Sequence, residues 1–352
     1  MRILQVCSVT TFGGGERHLA DLSHALVDLG HEVYAAAVPD SPLWTELSFL
    51  SNKRFALSRR NYLKNLQSLA GFVRANEIEI VHAHAARDYH LAALVVRLAS
   101  PARLVLTRHA LFPLRAINKP LLSGVGRVIA VSEAVAESLS GVIEPSRITV
   151  VHNGIDIERF AQSAVDARGV VVGTVGHLAP IKGHDVFVRA AALIAARRRG
   201  VRFVVIGEDK SAGKSYRKSL ENLVGELGVG EIVTMPGWQG DMPAALSSLT
   251  VFVSAARSEP FGLAIVEAMA AGLPVVAAAS EGAREIIEDG FSGKLVPVDD
   301  AGALAQAIDA LLDNPLERSR LGRNAQLVAR ERFSLARMAT DTERVYRDVL
   351  RT

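Results

Sequence analysis

Two carboxylates and one lysine are the residues of this chain best placed to do chemistry. Glu259 stands in the turn Ser258, Glu259, Pro260, Phe261 and Gly262. Glu267 follows eight residues later, inside an apolar run from Leu263 to Ala271. A carboxylate among Ile265, Val266, Ala268 and Met269 is costly to bury unless something pairs with it. The turn brings successive backbone amides to the mouth of the helix expected from Leu263, and such a mouth attracts anions. Both acids can accept hydrogen bonds from hydroxyls. An anion held by amides beside hydroxyl-binding carboxylates is the chemistry of a sugar nucleotide. Lys182 supplies a cation. In GHLAPIKG, Gly176 to Gly183, it precedes a glycine at a helix start, where a flexible ammonium suits a diphosphate.

Other stretches offer competing chemistry. The loop Gly13, Gly14, Gly15 and Glu16 lets amides approach an anion, but it is not G-x-G-x-x-G, so Asp40 after the second strand is weak support for a nicotinamide cofactor. GEDKSAGKS, Gly207 to Ser215, sits between a strand and a helix as a phosphate loop does. It has five residues between Gly207 and Gly213 where that motif needs four. His82, His84 and His109 close first-half strands, and the first two share a strand face. With neither a cysteine nor a third spaced ligand nearby, the expectation is no metal centre.

The elements that must position these residues alternate. Arg2 to Val9 reads as a buried strand, followed by a helix from His18 to Leu29 and a strand HEVYAAAV. Helices around Lys64 to Asn76 and His90 to Ala99 alternate with strands IEIVHAH and RLVLTRH. VGRVIAVS, a helix from Glu133 to Leu139 and ITVVHNG complete a first half. Polar Ile157 to Gly169 reads as a linker. The grammar then repeats, with VVVGTVGHL, a helix from Val186 to Arg199, VRFVVIGE, a helix from Ser215 to Leu227, and four short strands, with helices between them, ending in GKLVPV. Strands alternating with helices mean parallel α/β sheets. The expected architecture is two Rossmann-like, doubly wound domains about a cleft, at residues 1–160 and 161–330, with a C-terminal helix at 331–352 packing back towards the first. Ligands in such sheets bind outside the strand C-termini.

Composition agrees with that size. Two domains are natural for 352 residues, and 49% apolar with 22% charged residues fits a globular protein. Cys7 is the only cysteine, which excludes an internal disulfide and suits a reducing cytoplasm. The apolar start MRILQVCSV is too short for a signal peptide. Net charge is only +3, yet Lys53 to Arg127 carries thirteen Lys and Arg against Glu77, Glu79 and Asp88. That excess, beside apolar LKNLQSLAGFV and HALFPLRAINKPLL, points to an anionic lipid surface or acceptor. Nucleic acid is not expected, because no aromatic-basic interleaving accompanies the charge.

These residues resemble the retaining glycosyltransferases of family 4, with the GT-B fold. The resemblance runs from the first strand to about Pro297, and more loosely to the end. Its most specific piece is E-x7-E, Glu259 to Glu267 in SEPFGLAIVEAMAAGLPVVA. The GGGE loop, VHAH, LTRH, VIAVSEAV, VHNGID, the KG loop and GAREIIEDGFSGKLV are weaker pieces. The resemblance implies that Glu259 holds donor-sugar hydroxyls near the reacting carbon, with Ser258 beside it. It implies that amides of Phe261, Gly262 and Leu263 bind the diphosphate, and that Glu267 bonds the ribose. Lys182 would neutralise the leaving diphosphate, His109 would lie near the donor sugar, and Gly14, Gly15 and Glu16 would line the acceptor side. His177 departs from the family, which usually has arginine there, and a neutral imidazole gives the diphosphate less charge.

The implied activity is retaining, metal-independent transfer from a UDP- or GDP-sugar to an acceptor hydroxyl, with no cofactor. The expected acceptor is a lipid-linked or glycan molecule of lipopolysaccharide, exopolysaccharide or other envelope glycan synthesis. Peripheral docking on an anionic membrane at its cytoplasmic, inner face goes with it. The alternative is a non-catalytic protein that binds a nucleotide sugar or glycan.

Overall fold

A computed structural model of the chain describes residues 1–99, 101–114, 119–161 and 169–351. The chain divides into two compact units, Met1–Gly154 with Leu335–Thr352, and Ile155–Ser334.

The first unit is built on seven strands: β1 (Arg2–Cys7), β2 (Glu32–Ala37), β3 (Arg54–Ala56), β4 (Ile80–Ala83), β5 (Arg103–Arg108), β6 (Arg127–Ala130) and β7 (Ile148–Val150). They form one sheet in the order β3-β2-β1-β4-β5-β6-β7, with parallel pairing throughout. Near-continuous burial along β1, β2, β4 and β5 follows from helices covering both faces. Helices α1 (Gly14–Asp28), α2 (Tyr62–Ala75) and α3 (Tyr89–Leu98) provide part of that cover. The C-terminal helix, Leu335–Arg351, packs against α1, and its Met338, Val345, Tyr346 and Val349 join the core of Ile3, Leu19, Leu22 and Ile80. Strand order reverses between β1 and β4, so the loops after these two strands flank the switch point where such sheets bind ligands.

The second unit repeats the plan with six strands: β8 (Val170–Val175), β9 (Val201–Ile206), β10 (Val233–Gly237), β11 (Val251–Ser254), β12 (Val275–Ala278) and β13 (Lys294–Val296). Their order is β10-β9-β8-β11-β12-β13, all parallel, and the reversal lies between β8 and β11. Helices α4 (His184–Ala195), α5 (Ser215–Glu226), α6 (Leu263–Ala270), α7 (Glu281–Ile286), α8 (Ala301–Asp313) and α9 (Pro315–Arg332) surround it. Phe187 and Phe203 meet edge to face, with centroids 6.0 Å apart, in a core with Val172, Val253 and Val276.

Two elements differ from the sequence reading. The stretch read as a linker opens with a helix, Ile157–Ala161, that packs on α6 within the second unit; residues 162–168 lie outside those described. Its apolar Ile157 and Phe160 are buried, and scattered charges hid that pair. Helix α1 begins at Gly14, four residues before the expected His18, because the Glu16 carboxylate accepts from the Gly13 amide and caps the glycine loop.

Candidate functional site

In the second unit the loops after β8 and β11 meet beside the switch point. The β8 loop ends in a short 3₁₀ turn, Pro180–Lys182, and Gly183 then opens α4 with φ of 65°. A Cβ on Gly183 would lie 1.9 Å from the Ala255 carbonyl oxygen, so glycine is what lets the two loops approach this closely. The Arg257 amide donates to the Ile181 carbonyl at 2.8 Å. The Arg257 guanidinium grips Asp185 through two nitrogens at 2.9 and 2.7 Å, approaches Asp299 at 2.6 Å and also donates to the Pro180 carbonyl. Hydrogen bonding to Asp185 raises its pKa further. This clamp fixes the turn that carries Lys182 against the turn that carries Glu259.

Across that junction the Lys182 ammonium pairs with the Glu259 carboxylate. Both side chains are half-buried, at 28% and 15% exposure, so the pair is within reach of a ligand. The Glu259 amide donates to Glu281 at 3.2 Å, and its carbonyl accepts from the Gly282 amide at 2.9 Å. A Cβ on Gly282 would sit 1.9 Å from the Phe261 carbonyl oxygen, so α7 begins hard against the turn. Phe261 itself is buried and meets Phe333 edge-on at 5.6 Å, which anchors the loop from beneath.

Helix α6 starts at Leu263 with no side chain capping it. The Gly262 carbonyl accepts from Ile265 and Val266, while the first amides of a helix have no intrahelical acceptor. The positive end of α6 therefore opens beside the Lys182–Glu259 pair. Leu263, Ala264, Glu267 and Ala271 form its half-buried stripe, whereas Ile265, Val266, Ala268, Met269 and Ala270 are buried. This corrects the reading of Glu267 as a carboxylate in apolar company. Its neighbours in sequence point inwards, and Glu267 lies one turn beyond Leu263 on the accessible face. Ser258 is half-buried in the same turn, and His177 is exposed, its ring 3.3 Å from the Glu208 carbonyl. Beneath it, His184 is buried with Nε2 3.0 Å from the His177 carbonyl oxygen, and burial lowers its pKa to about 4.

The GEDKSAGKS loop is not a phosphate site. Asp209 accepts from the amides of Ser211, Tyr216 and Arg217 at 2.8, 3.0 and 3.0 Å. Hydrogen bonds, that from Ser211 foremost, lower its pKa to about 2. The protein's own carboxylate fills the start of α5 where a phosphate would bind.

In the first unit, His109 follows β5 and lies against the glycine loop, since a Cβ on Gly15 would be 3.5 Å from its Cδ2. Gly14 is exposed, while Gly15 and Glu16 are half-buried in the first turn of α1. His82 does not belong with His109. It is fully buried in β4, its Nδ1 2.6 Å from the Tyr346 hydroxyl and its Nε2 2.7 Å from Thr107. His18 takes that place instead, with ring centroids 4.7 Å from His109 and 5.5 Å from His84. Sequence reading missed both His18 and Arg257. His18 stands on a different element from the other two histidines, and Arg257 lies 72 residues from the aspartate it grips.

Comparisons with known proteins bear on the family and the fold. A model described as Glycosyltransferase Family 4 matches residues 12–159, and one described as Glycosyl transferases group 1 matches residues 156–328. The chain is 36% identical over 214 residues to a D-inositol 3-phosphate glycosyltransferase of a Mycobacterium species (strain KMS), covering 57% of this chain and 48% of that one. It thus spans about half the length of the curated relatives it matches. Among solved structures, Anabaena HepE in complex with UDP superposes with a TM-score of 0.88 and 23% identity, over 98% of this chain and 99% of HepE. A glycosyltransferase from Rickettsia africae gives 0.89 and 23%, over 100% and 99%. These likenesses show the GT-B fold, with parallel sheets of seven and six strands. The chain belongs to the family 4 glycosyltransferases.

Proposed function

We propose that the protein is a retaining glycosyltransferase that moves a sugar from a nucleotide diphosphate sugar to an acceptor hydroxyl. The observation that carries this reading is the meeting of Lys182, Glu259 and the uncapped start of α6 at one switch point. Amides at Phe261, Gly262 and Leu263 receive the diphosphate of a UDP- or GDP-sugar. Lys182 leaves Glu259 for the phosphate oxygens and stabilises the charge that develops as the diphosphate departs. Freed of its partner, the Glu259 carboxylate accepts from donor-sugar hydroxyls, with Ser258 beside it. Glu267, on the accessible face of α6, accepts from the ribose. His177 stands at the rim of this site.

The leaving phosphate assists deprotonation of the acceptor on the same face, and no divalent cation takes part at the diphosphate. His109 acts on the donor sugar, and Gly14, Gly15 and Glu16 line the acceptor side. HepE, solved with UDP and with UDP-glucose, supports a nucleotide sugar as donor.

The acceptor we propose is a lipid-linked or glycan intermediate of envelope polysaccharide synthesis, met at the inner face of the cell membrane. Tyr62 and Leu63 are exposed at the start of α2, beside exposed Arg59, Arg60 and Lys64, and Phe112 is 75% exposed. Exposed apolar side chains next to cations at the start of a helix suit an anionic bilayer. No helix among the described residues is long and apolar enough to cross a membrane. The test is turnover of UDP- and GDP-sugars with and without acceptor, since transferases slowly hydrolyse their donors. Binding of a nucleotide sugar with no transfer or hydrolysis would replace this reading with a non-catalytic one.

A further inference from the structure

We infer that His18, His84 and His109 form a binding site for one divalent transition-metal cation at the switch point of the first unit. Each of the three offers a ring nitrogen, and these nitrogens all lie within 4.8 Å of one another. Zinc bound at about 2.0–2.1 Å sets its tetrahedral nitrogens about 3.4 Å apart, so small side-chain rotations close the site.

The hydrogen-bond inventory is what singles this cluster out. His84 Nε2 is 2.7 Å from Gln5 Oε1, an acceptor, so Nε2 carries the proton and Nδ1 keeps a bare lone pair. That Nδ1 has no hydrogen-bond partner among the described residues, and neither has His109 Nε2, while His18 keeps at least one ring nitrogen open. Asn153 lies beside His18 and can engage only one of its two ring nitrogens. His18 is 2% exposed and His84 5%. Several buried polar atoms left open around one point call for an occupant.

The surroundings have the construction of a metal site. A ligating histidine commonly donates its second nitrogen to an oxygen that fixes its orientation, and Gln5 does this for His84. Behind it, His82 joins the Tyr346 hydroxyl to Thr107 and holds that side of the sheet. His18 is on α1, His84 follows β4 and His109 follows β5, so a cation would tie three elements together. Lys182 and Glu259 belong to the other unit. Binding of the cation would withdraw His109 from the donor-sugar role proposed above; that consequence rests on the proposed function, whereas binding does not.

The test uses the full chain stripped of metal, with zinc ions as the calorimetric probe and cobalt ions as the spectroscopic one. One equivalent of zinc is expected, together with visible cobalt bands of tetrahedral type. His18→Asn and His109→Asn lose binding by at least about tenfold, and Gln5→Ala weakens it by about 10-fold. His24→Asn, at an exposed histidine outside the cluster, leaves it unchanged. His109 is the least buried of the three, so its variant decides the outcome should His18→Asn not fold. Absence of zinc uptake by the wild type, or uptake that survives in folded His109→Asn, overturns the proposal.

Discussion

At the scale of single residues, the account rests on Lys182, Glu259 and the clamp behind them. Arg257 touches no proposed substrate group and acts by holding two turns in register through Asp185. Arg257→Ala is expected to lower kcat more than it raises KM, and Arg257→Lys to recover only part of the loss, because lysine cannot make the two-nitrogen grip. Equal kinetics for the alanine variant and the wild type would remove Arg257 from the account. Gly183→Ala should cost about 2–4 kcal/mol of stability, from left-handed backbone and from overlap with the Ala255 carbonyl. Chemical denaturation measures this, and an unchanged midpoint would contradict the geometry. The acids and Lys182 were legible in sequence because motif residues are close in sequence and carry unusual charge. Arg257 and His18 were not, since their partners are brought to them only by the fold.

At the scale of elements, both sheets place chemistry-bearing loops at a reversal of strand order. Most of this was legible, because strands buried on both faces read as apolar runs and their helices as amphipathic repeats. Strand β3 was not, because its three residues carry too little pattern. Helix α4 supports a pH prediction. Buried His184 stays neutral in the fold down to about pH 4, while the unfolded chain takes up a proton below about pH 6.5. The folded pKa is lowered, so stability from this group falls as pH drops through that window, by about 2 kcal/mol at pH 5. His184→Gln removes the charge, and its stability relative to wild type should rise between pH 7 and pH 5. Parallel curves would contradict the assignment. Helix α2 makes a second prediction. Leu63→Asp, and separately Arg59→Ala with Arg60→Ala, should each reduce co-sedimentation with anionic liposomes, and salt should weaken binding by the wild type. Equal binding to neutral liposomes, or none at all, would count against membrane docking.

At the scale of the whole molecule, two doubly wound units and family membership were foreshadowed by the repeated strand–helix grammar and the spacing of Glu259 and Glu267. The donor base could not be read, because the amides and Lys182 proposed to grip a diphosphate would be indifferent to the base attached. A thermal-shift screen of UDP, GDP, ADP and their sugars addresses this. A ligand at 100 times its dissociation constant stabilises by about 2.7 kcal/mol, and a UDP- or GDP-sugar is expected to give the largest shift. The central claim is that Lys182 and Glu259 together drive sugar transfer. Its most direct measurement is donor turnover by purified wild type, Lys182→Ala and Glu259→Ala, each shown to be folded. The account predicts losses of about 10²–10³-fold in kcat for both variants. Full turnover by both would contradict it.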